Sequence, residues 1–310
     1  MKKKISFYSC SNGLGHFSRI LKICESLSKD FDITIYCEKY QYNKFKPTLK
    51  ANFIYYKFSN IRWDKALKDN DVCFDQYKKW IDFYGPTTLD YDIVVSDNIT
   101  GLLKYRDDII LSGSFLWADV FKNKFGDNEL SELDYRCLDL FNPLILTNKY
   151  VETGNIKKYK NKKAFGWGCI EKEKNIWGKT DTVVLGKPSL DYINTYEKAL
   201  KEIKNNLIYN ISSDINKQSN CTFLIRPGVG MLTHCVENFI PVVSLYDEDD
   251  SIEIVELAKR VEELGIGTSI NIQKEFDISK IFINLDNTIY NKLNFEKEGY
   301  KNIANFLNNK

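Results

Sequence analysis

Short apolar runs rich in β-branched and aromatic residues alternate along this chain with stretches of helical period. The runs are Ile5–Ser9, Ile33–Cys37, Phe53–Phe58, Ile93–Ser96, Ile109–Leu111 and Leu144–Leu146, followed by Thr182–Leu185, Leu207–Ile211, Cys221–Ile225 and Pro241–Tyr246. Several close on a turn residue. Between them, Phe17, Ile20, Leu21, Cys24 and Leu27 keep one helix face apolar, as do Ile252, Val255, Ala258, Val261 and Leu264. Strands that are apolar on both faces and separated by helices predict an α/β protein with doubly wound parallel sheets, because only crossover helices bury both sides of a sheet.

At 310 residues the chain is long enough for two such domains. Residues 155 to 181 are rich in Lys, Asn and Gly and carry little periodicity, so they read as a connection. The expected organisation is a Rossmann-like domain over 1–155, a connection over 156–180, a second Rossmann-like domain over 181–290 and a terminal helical region over 291–310. A net charge of +2 gives no strong field and argues against nucleic acid as a partner. None of the eight cysteines is spaced C-x-x-C, and Cys24, Cys37 and Cys221 sit in apolar runs, the pattern of buried free thiols. The opening Met-Lys-Lys-Lys leads straight into a strand, with no apolar segment of signal-peptide or membrane-spanning length. A cytoplasmic protein is expected. Basic and aromatic residues alternate over 40–58, which leaves room for peripheral contact with the inner face of a membrane.

Two glycine loops carry the chemistry. In the first, Asn12-Gly13-Leu14-Gly15-His16 follows the first strand, and Gly13 and Gly15 allow a tight turn with bare backbone open to a ligand. His16 would stand in the first turn of the next helix, where a cation is disfavoured, so a neutral imidazole able to act as a base is expected. A plain turn with His16 as a cap is the simpler alternative. A dinucleotide site is another, since Gly13-x-Gly15-x-x-Ser18 approaches G-x-G-x-x-G and Glu38 ends the second strand where a ribose acid would stand.

The second loop ends the strand Cys221–Ile225 with Arg226-Pro227-Gly228-Val229-Gly230 and opens a helix carrying Met231, Leu232, Thr233 and His234. Backbone N–H groups of Gly230, Met231 and Leu232 are expected to face an anion at that helix N-terminus. Each of the two histidines in the chain lies beside one of these loops.

The run from Ile225 to Gly267 resembles the donor-binding segment of GT-B glycosyltransferases, above all the MurG-like and UDP-glycosyltransferase-like group, with Arg226, Gly228, Gly230, Pro241, Asp250, Ala258, Gly265 and Gly267 in register. Gly13-Leu14-Gly15-His16-Phe17-Ser18-Arg19 is similar to the acceptor-domain loop of the same group. The run Tyr91 to Gly101 is similar to a strand that ends in an aspartate there, here Asp97. The resemblance implies two Rossmann-like domains facing a cleft. It implies a nucleotide-sugar donor, UDP-linked by default, and a glycan, lipid-linked or small-molecule acceptor, with a place in surface glycan or polysaccharide synthesis. The implied reaction is hexosyl or N-acetylhexosaminyl transfer, inverting and without a metal or other cofactor.

The catalytic pair would be His16 as base with Asp97 to orient it, although Asp97 could also be an ordinary helix N-cap. Donor contacts are expected from Gly186, Arg226, Gly228, Val229, Gly230, Met231, Leu232, Thr233, His234, Asp250 and Glu253. The acceptor side would use Asn12, Gly13, Leu14, Gly15, Arg19, Ser112 and Ser114. Asp250 ends the acidic run Asp247–Asp250, read as a solvated loop that reaches sugar hydroxyls. The chain departs from the family in placing His234 where many members have a ribose-binding glutamate, and Glu253, Ile254 and Leu257 at the usual Gln/Asn positions. UDP-sugar hydrolases and 2-epimerases share the architecture and are the first alternatives, followed by an NAD-dependent enzyme or a non-catalytic nucleotide-binding protein.

Overall fold

The computed structural model describes residues 2–27, 29–62, 70–168, 182–185, 207–208, 221–274, 295–296 and 298–310. The chain forms two units, one of residues 1–166 with 298–310 and the other of residues 167–297.

The first unit is built on seven parallel strands: β1 (Lys3–Tyr8), β2 (Phe31–Cys37), β3 (Asn52–Tyr55), β4 (Ile93–Ser96), β5 (Ile110–Ser112), β6 (Ile145–Asn148) and β7 (Lys162–Phe165). Their order is β3-β2-β1-β4-β5-β6-β7. The winding reverses between β1 and β4, so the crossovers leaving these neighbours run to opposite sides and a crevice opens at their C-terminal ends. Residues from Ile5 to Tyr8 and from Ile93 to Ser96 are buried on both faces, as the continuous apolar runs require.

One face of this sheet packs Ile5, Phe7, Ile33, Ile35, Ile93 and Val95 against Phe17, Ile20, Leu21 and Cys24 of α1 (Gly15–Glu25). The same cluster takes in Ile303 and Leu307 of the last helix, Gly299–Asn308. Each such side chain contributes about 1.5–3 kcal/mol on full burial. The other face is aromatic. Tyr8 stacks on Tyr36 at 4.4 Å, and Trp80 of α3 (Asn70–Tyr84) packs its ring against Tyr56 and Tyr84 at 5.3 and 5.1 Å. The short helix α2 (Lys39–Phe45) follows β2, and α4 (Trp117–Phe125) and α5 (Glu129–Phe141) lie between β5 and β6.

Two differences from the sequence reading concern boundaries. β7 lies inside the stretch read as a connection. Its pairing with β6 supplies the order that its Lys-rich sequence hides, since of its four residues only Phe165 is buried and a single apolar position sets no period. The terminal helix returns to the first unit and packs on α1 and β7. The rest of the expected connection, 169–180, lies outside the described residues.

The second unit holds β8 (Thr182–Leu185), β9 (Leu207–Ile208), β10 (Cys221–Ile225), β11 (Val242–Tyr246) and β12 (Gly267–Asn271), all parallel, in the order β12-β11-β10-β8-β9. Here the winding reverses between β8 and β10. Two helices flank the following turns, α6 (Val229–Glu237) and α7 (Ile252–Glu263). Gly265, with φ of 65°, turns the chain out of α7 in the left-handed region. At Gly267 a Cβ would lie 1.9 Å from the Val242 carbonyl oxygen, so only glycine allows β12 to pair with β11.

Candidate active site and phosphate loop

The first glycine loop fills the crevice between β1 and β4. Gly13 has a φ of 82°, a conformation that a side chain would strain, and α1 starts two residues later at Gly15. His16 and Arg19, three residues apart, therefore share one helix face. Asp97 follows β4 directly, and its N–H donates to the carbonyl of Tyr8 at the end of β1 (2.9 Å). The two strand ends thus present the same carboxylate to both helical side chains. His16 Nδ1 lies 2.9 Å from Asp97 Oδ2, while Arg19 Nη2 donates to Asp97 Oδ1. Asp97 is not a helix cap: the next turn of 3₁₀ helix, Thr100–Lys104, is preceded by Ile99.

Electrostatics fixes the proton in this triad. Asp97 is fully buried, and burial alone would raise its pKa; the Arg19 guanidinium and His16 outweigh that and hold it at about 2. An ionised carboxylate only accepts, so His16 donates to it from Nδ1, and in the neutral ring the lone pair then lies on Nε2. The imidazole is 14% exposed and flanked by Phe115 edge-on at 6.2 Å and Trp117 stacked at 6.4 Å. The arrangement can take a proton at Nε2 and stabilise the resulting cation through Asp97.

Asn12, Leu14 and the exposed Gly13 and Gly15 form the open side of the loop. Arg19, expected on the acceptor side, instead binds Asp97 and reaches the Ser112 carbonyl at 3.3 Å. Ser112 and Ser114 are 3% and 2% exposed, so neither offers a surface to an acceptor. They sit at and beyond the end of buried β5, and the Ser114 carbonyl accepts from Thr153 N–H.

Sequence reasoning missed what holds this loop in shape. Gln41, fully buried, donates from Nε2 to the carbonyls of Cys10 and Gly13, both at 2.8 Å, and accepts the Glu38 N–H at 3.0 Å. Asn60 accepts Ser11 N–H at 2.7 Å and donates to the Ser9 carbonyl at 3.1 Å; the Tyr40 and Tyr56 hydroxyls donate to the carbonyls of Ser11 (2.6 Å) and Ser9 (3.0 Å). The available signal was Glu38-x-x-Gln41, a reciprocal cap at the start of α2. That cap engages one carboxylate oxygen of Glu38, the residue a dinucleotide site would need for its ribose.

In the second unit, Arg226, Gly228, Val229, Gly230 and Met231 gather at the C-terminal end of β10, beside the switch in winding. Gly186, after β8, lies outside the described residues. Helix α6 starts at Val229 after an extended Gly228 (φ −126°, ψ 150°). Leu232 N–H already bonds the Gly228 carbonyl at 3.0 Å, so the donors that the helix geometry leaves over are Val229, Gly230 and Met231, one residue earlier than expected. Leu232 and Thr233 turn into the core, and the Thr233 hydroxyl donates to the Val229 carbonyl. The glycine at 228 is not required by the protein itself. Its φ is not positive, and a Cβ there would meet nothing within 4 Å. Space kept clear against bare backbone at a helix N-terminus suits a phosphate.

Arg226 Nη2 donates to Asp250 Oδ1 at 2.6 Å, and the other Asp250 oxygen accepts Asp247 N–H at 3.1 Å. Asp250 is therefore buried and committed to the protein, which corrects the reading of it as part of a solvated loop reaching sugar hydroxyls. The rest of the run is tied down too: Asp247 accepts from Asp249 N–H and Gln273, and Glu248 accepts from Asn271. His234 stands in the second turn of α6, stacked on Phe223 at 6.1 Å with Asn238 Nδ2 3.3 Å from its Nδ1. Glu253 lies in the first turn of α7, where a carboxylate suits the helix dipole.

No family model and no curated protein matches the sequence. Solved structures do match its fold over the whole length. The glycosyltransferase of kitacinnamycin aligns with a TM-score of 0.65 at 13% identity, covering 99% of both chains. The calicheamicin glycosyltransferase CalG4 gives 0.65 at 12%, covering 99% of this chain and 97% of its own. Arabidopsis thaliana UGT89C1 complexed with UDP-L-rhamnose gives 0.59 at 10%, covering 100% and 93%. The chain has the GT-B glycosyltransferase fold. In this GT-B chain the loop carrying His16 belongs to the N-terminal Rossmann-like unit, and the loop opening α6 to the C-terminal one. Among the described residues no three His, Cys, Asp or Glu side chains converge as metal ligands, and no helix is long and apolar enough to cross a membrane.

Proposed function

We propose that the protein is a glycosyltransferase that moves a sugar from a UDP-linked donor to an acceptor hydroxyl, with inversion and without a metal. The observation that supports this most is the His16–Asp97 hydrogen bond at the switch point of the first sheet, beside Arg19. Nε2 of His16 takes the proton of the acceptor hydroxyl as its oxygen attacks the anomeric carbon. The bond from that carbon to the diphosphate breaks on the opposite side, and Asp97 balances the new imidazolium. The leaving diphosphate, negative on departure, is received by the N–H groups of Val229, Gly230 and Met231 at the positive end of α6. Arg226 is shared with Asp250, so the helix end carries most of this role. The committed carboxylates of the 247–250 run favour a metal-free reaction, since each of Asp247, Glu248 and Asp250 already accepts protein donors. UDP-L-rhamnose in the Arabidopsis thaliana structure makes a UDP-sugar the first donor to try.

A thermal-shift screen of nucleoside diphosphates, followed by transfer from the matching nucleotide-sugar after exhaustive EDTA treatment, tests the reading. A ligand at a hundred times its Kd stabilises the fold by about 2.7 kcal/mol. Turnover without an acceptor would move the assignment to a hydrolase or epimerase, and loss of turnover restored by magnesium would end the metal-free one.

A further inference from the structure

The edge of the first sheet at β3, together with α2, presents a surface that the proposed reaction does not use. From Lys39 to Lys57 the chain carries five lysines and no Asp or Glu, although its net charge is only +2. Lys39, Lys44, Lys46 and Lys50 are all exposed, and among the described residues none of them is in an ion pair. Positive charge without a counter-ion is therefore concentrated on α2 and on the connection that leads from it to β3.

Aromatic rings lie beside this charge. Tyr42 and Phe45, three residues apart, share one face of α2. Tyr42 packs on Phe53 at 5.0 Å and on Tyr55 at 5.4 Å, the alternate residues that β3 turns to that side, and Phe45 packs on Phe17 of α1 at 5.8 Å. Phe17 also meets Phe53 at 6.5 Å, so the rings form one continuous group. It begins in the core and ends in water: Phe45 is 38% and Tyr55 40% exposed. The group lies on the α1 side of the sheet, opposite the face covered by Tyr84 of α3. Lysines often guard an edge strand against pairing, as Lys162 and Lys163 stand within β7. β3 itself, Asn52–Tyr55, contains none, so that role does not account for the lysines around it.

We infer that this surface docks the protein on a bilayer bearing anionic lipid. The exposed rings settle at the level of the headgroups, where Tyr55 keeps its hydroxyl wet and its ring apolar. The lysines hold their charge in water against the lipid phosphates and steer the surface onto the membrane. Gln41 of the same helix donates to the Gly13 carbonyl, so the docking element also holds the loop that carries His16. The inference does not rest on the transferase reading.

Flotation of the full chain with vesicles tests it without donor or acceptor. One set is phosphatidylcholine alone, the other an equimolar mixture of phosphatidylcholine and phosphatidylglycerol. The mixed vesicles are expected to carry the protein upward and the neutral ones to leave it behind, and high salt should release it. Lys44→Gln with Lys50→Gln, both at exposed positions, should weaken binding about twentyfold, about fivefold for each charge. Tyr55→Thr, which keeps a strand-forming residue, should weaken it several-fold, with thermal melts showing that each variant is folded. No preference for the anionic vesicles, or a preference that the lysine pair leaves intact, overturns the inference. Binding that is unchanged in Tyr55→Thr also overturns it, because charge alone then holds the protein and a soluble acidic partner would fit the surface equally well.

Discussion

Replacing Asp97 by Asn removes one charge and almost no volume, and its cost can be worked out from the structure. A carboxyl held at about 2 against an ordinary value of 3.8 gains a few kcal/mol, on the order of one pKa unit or two, from its partners beyond what burial takes away. In the variant, Arg19, whose side chain is only 16% exposed, keeps its charge without its main counter-ion. Breaking such a buried pair costs about 3–5 kcal/mol. Urea unfolding at pH 7, followed by the fluorescence of Trp80 and Trp117 in the first unit, should show a loss of that size. The pH dependence has a definite sign. A depressed carboxyl contributes stability above its unfolded pKa and loses it as pH falls through the folded one, so the gap between wild type and variant should narrow from about pH 4 down to about pH 2. Adding Arg19→Met should restore most of the stability, because both halves of the pair are then gone. A loss below about 1 kcal/mol, or a gap that does not change with pH, would refute the account of Asp97 as an ionised anchor. Turnover should fall about ten- to a hundredfold, since the variant no longer fixes the tautomer of His16 or balances its charge.

His16→Ala should lower kcat by about a hundredfold or more with donor affinity nearly unchanged. Near-normal turnover with collapsed nucleotide affinity would make the first loop a phosphate cradle instead. Gly230→Asp should abolish nucleotide binding with little change in Tm, because this exposed position has no positive φ to lose and the new carboxylate meets the diphosphate; unchanged affinity by calorimetry would move the donor site elsewhere. Asp134 is buried and its carboxyl is pushed up to about 7, the hydrogen bond from Tyr77 offsetting only part of the burial. Its contribution is present below about pH 4 and is lost as pH rises through about 7, so wild-type stability should drop by about 4 kcal/mol over that range. In Asp134→Asn this fall should vanish, and parallel stability curves for the two proteins would contradict it.

The reading of the sequence was strongest at central parallel strands. Ile93–Ser96, Thr182–Leu185 and Cys221–Ile225 have the bounds their apolar runs suggest, and Ile93–Ser96, buried throughout, has no polar face to blur the pattern. It failed at β7, whose Lys162, Lys163 and Ala164 carry no such mark and become a strand only by pairing with β6. It also misjudged Leu232 and Thr233. The loop was read one residue late, and only the hydrogen bond from Leu232 N–H to the Gly228 carbonyl settles where the helix begins and which N–H groups it leaves over.

The chain's own residue order dictates the alternation of strand and helix, the two glycine loops and the pairing of each loop with a histidine, because these depend on spacing along the backbone. Which side chains meet depends on where distant strands come to lie. His16 and Asp97 are 81 positions apart and touch because β1 and β4 are neighbours; Gln41 and Asn60 clamp the His16 loop from two further connections; Asp250 is taken by Arg226 from across 24 residues. Periodicity reports which face of an element is apolar. It carries no record of which carboxylate will be buried beside which cation, and that choice gives His16 its partner.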